Sequence, residues 1–476
     1  MDDELRQEVK ERLKRNESPG RIRAGLIEKG FAEQEISEAL RDLAQVHLDE
    51  RDATDRRNGR ILAVREFLDR FGYGAVAPQF LNILFFQTGA SLFLLGLFNG
   101  LNTVISMLIT SVLREYAKVH KVSRNVIGAA GVAFGFSFFV MAFALRAHMV
   151  WLFGLGFLLA SVGVVMYGDL YKKFVLETIR REKMGGLLRR MGQYGVLITM
   201  VAMLFSGWLI DRFPDTGRVT FTAFGMTFRP IGYLLAFEIT AFAFIISSYL
   251  LSRLKERREE RKYAFGRFLR EHTSQLRKRM RSLLSNRYIL LLFIATLFTG
   301  LLEVLGQSYY GLFIYQTFRD IAFGGLLNVA VLYGIAIMTS FTGPWFTKRL
   351  HKAIGLSPML VFGTLLMAIL PLTLVFNLHL LAVALALIFS VIGSAIVGLA
   401  QGLLARKVMD EETRRHYFMA VGLLLALPYL VLVPIGAWLT QLAGMQSLFL
   451  AIGIGLVVVV MPLYFVLVAM ANKERL

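Results

Sequence analysis

From Phe71 to the C-terminus the sequence is a succession of apolar runs separated by short charged segments. Each run is about 20 residues, the length that crosses a bilayer as an α-helix. The runs fall near Phe71–Thr88, Leu92–Leu113, Val126–Leu145, Val150–Gly168, Gly195–Ile210, Ile231–Leu251, Ile289–Phe318, Phe323–Thr342, Leu356–Phe376, Leu380–Leu404, Phe418–Leu439 and Leu448–Met470. This pattern predicts an all-α polytopic membrane protein with twelve transmembrane helices. A hydrophobic fraction of 56% in 476 residues agrees with it, since a water-soluble chain of that length could not bury so much. The seventh run is too long for one straight crossing, which predicts a tilt or a break near Gly300 or Gly306.

The formal charge of +19 resembles a nucleic-acid footprint until it is located. The surplus falls almost entirely on one set of alternate connections, Arg114–Arg124, Asp169–Arg190, Arg253–Arg287, Lys348–Lys352, Arg406–Arg415 and Lys473–Arg475. The other set, including Arg146 and Asp211–Arg229, is nearly balanced. By the positive-inside rule the first set is cytoplasmic, as are both termini, and the expected location is the cell inner (plasma) membrane. The charge is then a topology signal, and no nucleic-acid partner is expected.

Residues 1–60 differ in kind, with charges every few positions and no long apolar run. Three short helices fit them, the second starting at Ser18-Pro19 and stopping at Gly30, with His47–Arg60 as a linker and an amphipathic helix over Ile61–Arg70. The acidic start lacks the pattern of a cleaved leader. The expected organisation is a cytoplasmic helical domain and linker (1–60), a six-helix bundle (61–252), a basic loop (253–287) and a second six-helix bundle (288–476). The loop Arg253–Arg287 carries thirteen basic and four acidic residues, with Tyr263, Phe265, Phe268, Leu269 and Leu276 among them. That mixture suits an amphipathic helix on the anionic inner leaflet. Residues Ser18–Leu43 loosely resemble one helical repeat of the RecX regulatory proteins. For this domain, docking of a protein partner is the expected role.

The two bundles align at one constant offset: Asp69 with Glu303, Gly72 with Gly306, Gly100 with Gly334, Arg114 with Lys348 and Lys118 with Lys352. Further on, Arg180 and Arg181 fall on Arg414 and Arg415. Ordered charged and glycine matches at one offset indicate a duplicated six-helix unit.

Two six-span halves joined by a basic loop resemble the major facilitator superfamily. Gly343-Pro-Trp-Phe-Thr347-Lys348-Arg349-Leu350-His-Lys352 is similar to that family's gating loop, with Thr347 and Leu350 replacing an expected Asp and Gly. The loop Ser111–Lys118 keeps only an acid, Glu115. The resemblance implies an alternating-access carrier whose first, fourth, seventh and tenth spans line a central cavity. It implies a cytoplasmic gate built from Arg114, Lys118, Lys348, Lys352, Arg180, Arg181, Arg414 and Arg415. Topogenic charge alone explains the same residues.

Glu303 is the one charge between Arg287 and Arg319. An acid at mid-membrane costs about 2.5–3.5 kcal/mol and persists where it faces a cavity or a partner. It is the first candidate for proton coupling, followed by Asp69, its repeat mate beside Arg70, and Glu238, a lone acid in the sixth span. A protonated, hydrogen-bonded structural acid is the alternative for Glu303, and a surface pair with Arg70 for Asp69. Gln307 and Tyr310 share a helical face with Glu303. Gln79, Asn82, Asn99 and Asn102 form polar stripes in the first two spans, where Pro78 is placed to kink the first, and Tyr167 closes the fourth. These are expected to line the substrate cavity or to join helices.

No Arg or Lys falls within a predicted cavity span, which favours a neutral, cationic or amphipathic substrate over a strongly anionic one. The zero cysteine count excludes Cys-ligated metal and thiol chemistry. There is no GxxxxGK[ST], HExxH or GxSxG, so neither an enzyme nor a cofactor is expected. Three readings remain: a proton-coupled carrier of a small solute, a transporter-like sensor or scaffold working through residues 1–60, and a lipid flippase.

Overall fold

A computed structural model describes every residue except 1–2, 15–16, 18, 120–123, 179–180, 216–220, 224–225, 255–285, 377 and 474–476. The amphipathic helix expected between Arg253 and Arg287 lies almost wholly outside the described residues.

Helices α1 (Asp3–Lys14) and α2 (Pro19–Ile27) pack on the start of α3 (Glu33–Ala75). Leu5 and Val9, Ile22 and Leu26, and Ile36 and Leu40 lie one turn apart on their helices and close a small core capped by Phe31. Gly30, at φ +90°, stops α2 as expected. The third helix does not end at a linker: α3 runs unbroken through His47–Arg60 into the bundle. That stretch is predominantly polar, with four Arg and three Asp, and polarity by itself does not stop a helix.

The first crossing is in two pieces. Pro78 lacks an N–H and disfavours helix at the residue before it, so the chain is extended at Ala77 (ψ 152°) and resumes as α4 (Pro78–Gln87). The N-terminal half continues with α5 (Leu92–Val119), α6 (Arg124–Arg146), α7 (Val150–Thr178), α8 (Arg181–Arg212) and α9 (Gly232–Ser252). Between α8 and α9 a small antiparallel hairpin pairs Phe221–Ala223 with Met226–Phe228, an addition to the expected all-α fold. The C-terminal half comprises α10 (Arg287–Thr317), α11 (Gly325–Ile354), α12 (Leu356–Phe376), α13 (Leu380–Val408) and α14 (Glu411–Ala443). Its last crossing joins α15 (Met445–Ile454) and α16 (Met461–Lys473) through a π-helical turn, Gly455–Val460.

Eleven of these segments are long and apolar enough to span a membrane, and with the broken α3–α4 crossing they make the expected twelve. The seventh, α10, is continuous. Gly300 admits the Tyr429 hydroxyl rather than breaking the helix.

Within each half, helices approach through small residues, as in other membrane bundles. At Gly393 of α13 an added Cβ would meet the Gly363 carbonyl oxygen of α12 at 2.6 Å and the Met367 nitrogen at 2.7 Å, both backbone atoms. Gly393→Val should therefore destabilise the C-terminal half by about 1–3 kcal/mol. The check is a thermal-melt midpoint in detergent, and an unchanged midpoint would contradict this packing.

Between the halves, α5 packs on α14, α8 on α11, and α10 on α4 and α5. One end of the bundle carries the basic connections and the N-terminal domain and is called the basic end below. The other carries the Arg146–Val150, Arg212–Gly232 and Phe318–Gly325 connections.

Candidate functional site

Asp69 and Glu303 occupy equivalent places in the repeat but different surroundings. Asp69 is buried inside the N-terminal half, and its expected pair with Arg70 does not form, because Arg70 turns outward to Glu66 at 2.8 Å. Its carboxylate instead pairs with Arg65, one turn earlier, at 3.1 Å. It also accepts hydrogen bonds from Tyr167 of α7 at 2.8 Å and from Ser247 of α9. The Arg65 guanidinium is fully buried over the rings of Tyr171, 3.2 Å from its centroid, and Tyr167, 4.5 Å away. Thus α3, α7 and α9 are tied by one charged knot, in which Tyr167 joins helices. The expectation of no buried cation in the first span fails here, because the crossing starts before Phe71 and includes Arg65.

The C-terminal half has the same knot in neutral form. Thr299 and Gln401 stand where Arg65 and Tyr167 stand in the first half, and both reach the Tyr464 hydroxyl of α16, Thr299 at 3.0 Å. With no cation there, Glu303 is free to point elsewhere. It is half-buried and accepts from Ser394 of α13 at 2.9 Å and from Gln307 at 3.1 Å. Among the described residues no Lys, Arg or His pairs with it.

Gln307 is exposed beside Glu303. Tyr310, two turns on from Glu303, is buried against Phe449 of α15, their rings 5.2 Å apart. Glu238 lies exposed on α9, which packs chiefly on α3, α6 and α8 of its own half.

The first-half amides are brought together. Asn82 is buried, accepts from Asn99 at 3.0 Å and donates across the interface to the Ser308 carbonyl at 3.2 Å. Gln79 lies against Gly311 of α10, and Asn102 accepts from Ser106 at 3.4 Å. Six hydrogen bonds between described residues cross the halves, and all lie toward the end away from the basic loops. Three involve α10: Asn82 to Ser308, Gln87 to Tyr315 and Tyr309 to the Leu92 carbonyl. The others join Asp211 to the start of α11 and Gln441 to the start of α5.

Of the expected gate, Lys348 and Lys352 are exposed, Arg414 is half-exposed, and Arg349 stacks on Trp345 at 3.9 Å. Arg180 and the side chains of Arg114, Lys118, Arg181 and Arg415 lie outside the described residues. Between described residues no hydrogen bond joins the halves at the basic end, although α5 and α14 stay packed toward it, with Ser111 and Met107 against Gly422.

Sequence reading missed Arg65, Ser247, Ser394, Asp211 and Gln441. Arg65 was accessible to it: with Asp69 it forms an i, i+4 charge pair just ahead of an apolar run.

No protein-family model matches the chain, and no curated protein sequence does. Solved structures do match. The nucleoside transporter NupG superposes with a TM-score of 0.66 at 11% identity, over 87% of this chain and 98% of that one. A bacterial homologue of the iron transporter ferroportin, in an inward-facing state, gives 0.61 at 14% identity over 86% and 98%. A bacterial homologue of the human lysosomal transporter Spinster, also inward-facing, gives 0.61 at 12% over 89% and 98%. At these identities the likeness establishes the fold, the two-halved, twelve-helix membrane architecture that these transporters share.

Proposed function

We propose that the protein is a secondary-active carrier that moves a small neutral, cationic or amphipathic solute by alternating access and couples the movement to protons through Glu303. The observation that carries this reading is the contrast between the two repeat-related acids. Asp69 is held by a permanent cation, Arg65. Glu303, on α10, has hydroxyl and amide partners only among the described residues, bonds to Ser394 of α13, and is flanked by an exposed Gln307. An intramembrane acid without a counter-charge is a functional residue by default. The hydrogen bonds that join the halves toward the end away from the basic loops support alternating access, with the basic end facing the cytoplasm under the positive-inside rule. Fold neighbours include a D-xylose–proton symporter and bacterial homologues of drug peptide transporters, so pentoses, nucleosides and dipeptides are the first probes to try.

The test is solute exchange in proteoliposomes with no imposed gradient, using labelled nucleoside, pentose, dipeptide and organic monocation. Protein-dependent exchange of at least one probe is expected. If purified, folded protein exchanges none, the sensor or scaffold reading takes precedence. That reading has one observation of its own, the unbroken α3, which ties the N-terminal domain to the first crossing.

A further inference from the structure

We propose that Asp211 and Gln441 are reciprocal latches that hold the two halves shut at the end away from the basic loops, each capping the first turn of a helix in the opposite half. The proposal rests on the carrier reading, in which that end must open once per cycle.

The first N–H groups of any helix lack partners within it. At the start of α11 the capping position is Gly324, which has no side chain to offer. Asp211, in the last turn of α8 across the interface, supplies the acceptors. Its Oδ1 takes the Leu326 N–H at 3.0 Å and its Oδ2 the Leu327 N–H at 2.7 Å. A carboxylate at a helix N-terminus is favoured by both hydrogen bonding and the helix dipole. Gly325 makes the approach possible, since a Cβ there would collide with the Asp211 carboxylate.

The mirror contact uses the same parts of the other half. Gln441, in the last turn of α14, accepts from the Phe93 N–H of α5 at 3.2 Å, while the neighbouring Leu94 N–H is taken by Ser91 of its own chain segment. In both cases the fifth crossing of one half caps the second crossing of the other. Three of the six hydrogen bonds between the halves belong to this pair of caps. They differ in strength, because Asp211 brings a charge and Gln441 only an amide.

Two spin labels report the opening. The chain has no native cysteine, so Met149→Cys and Leu378→Cys place labels on exposed turns of the two halves at this end without background. Distances are measured by pulsed electron spin resonance in proteoliposomes, with no solute added. Asp211→Ala should raise the ratio of long to short distances about tenfold, and Gln441→Ala by less. Asp211→Asn, which keeps the shape and one acceptor, should give a smaller rise and covers the case in which the alanine variant fails to fold. Gln441→Glu should move the ratio the other way, several-fold toward the short distance, a change that mere damage would not produce. The latch is overturned if none of these variants alters the distances, or if Gln441→Glu opens this end as Gln441→Ala does. Because no solute is needed, shifted distances in a protein that exchanges nothing would leave the latch standing and defeat only the carrier reading.

Discussion

Glu303→Gln is expected to abolish uphill accumulation of solute while leaving downhill exchange intact. Glutamine keeps the size and the hydrogen-bonding capacity that Ser394 and Gln307 engage, so the local packing survives. What it removes is the ability to carry a proton between the two sides. One proton per neutral solute turns a one-unit pH gradient into about tenfold accumulation, since one unit is worth 1.36 kcal/mol. The wild-type protein should approach that ratio, and the variant should stop at equal concentrations. A Glu303→Gln protein that still accumulates solute under a pH gradient would remove Glu303 from the coupling role.

The second large effect belongs to Asp69 and concerns stability. Asp69→Asn leaves the Arg65 guanidinium fully buried with no counter-charge, against two tyrosine rings that only partly compensate. Removing one member of a buried ion pair costs about 3–5 kcal/mol, whereas replacing both by uncharged groups of similar volume is often neutral. Asp69→Asn should therefore lower the thermal midpoint and the yield of monodisperse protein sharply. The double variant Arg65→Met/Asp69→Asn should recover most of the loss. Recovery of stability together with unchanged solute accumulation distinguishes a structural knot from a proton site, because a coupling acid could not be replaced together with its neighbour at no cost to transport. Failure of the double variant to recover stability would show that Asp69 matters for something other than balancing Arg65.

The crossings were legible in the sequence because a membrane imposes a length and an apolar character on each helix independently of what packs around it. Pro78 was equally legible, since its effect on the backbone is local. Burial of polar groups was not. The spacing of Arg65 and Asp69 is that of an ordinary surface pair, and only Tyr167 and Ser247, from helices far away in sequence, turn it into a buried knot. Glu303 stood out because its apolar surroundings are its own sequence neighbours. The burial of Tyr310 was not legible because Phe449, which covers it, comes from another crossing. Asp211 and Gln441 were invisible for the same reason: each sits at the end of one helix but satisfies the start of another in the opposite half. The linker at His47–Arg60 failed differently, through equating polarity with loop in a stretch that α3 carries as helix.

The central claim is that solute and proton move together through Glu303. Proteoliposomes loaded with a pH-sensitive dye, and given a gradient of an exchanged solute but no pH gradient, test it most directly. The account predicts a pH change inside wild-type vesicles that grows with solute movement, and none with Glu303→Gln. Solute movement through the wild-type protein without any pH change, or an undiminished pH change with Glu303→Gln, would contradict it.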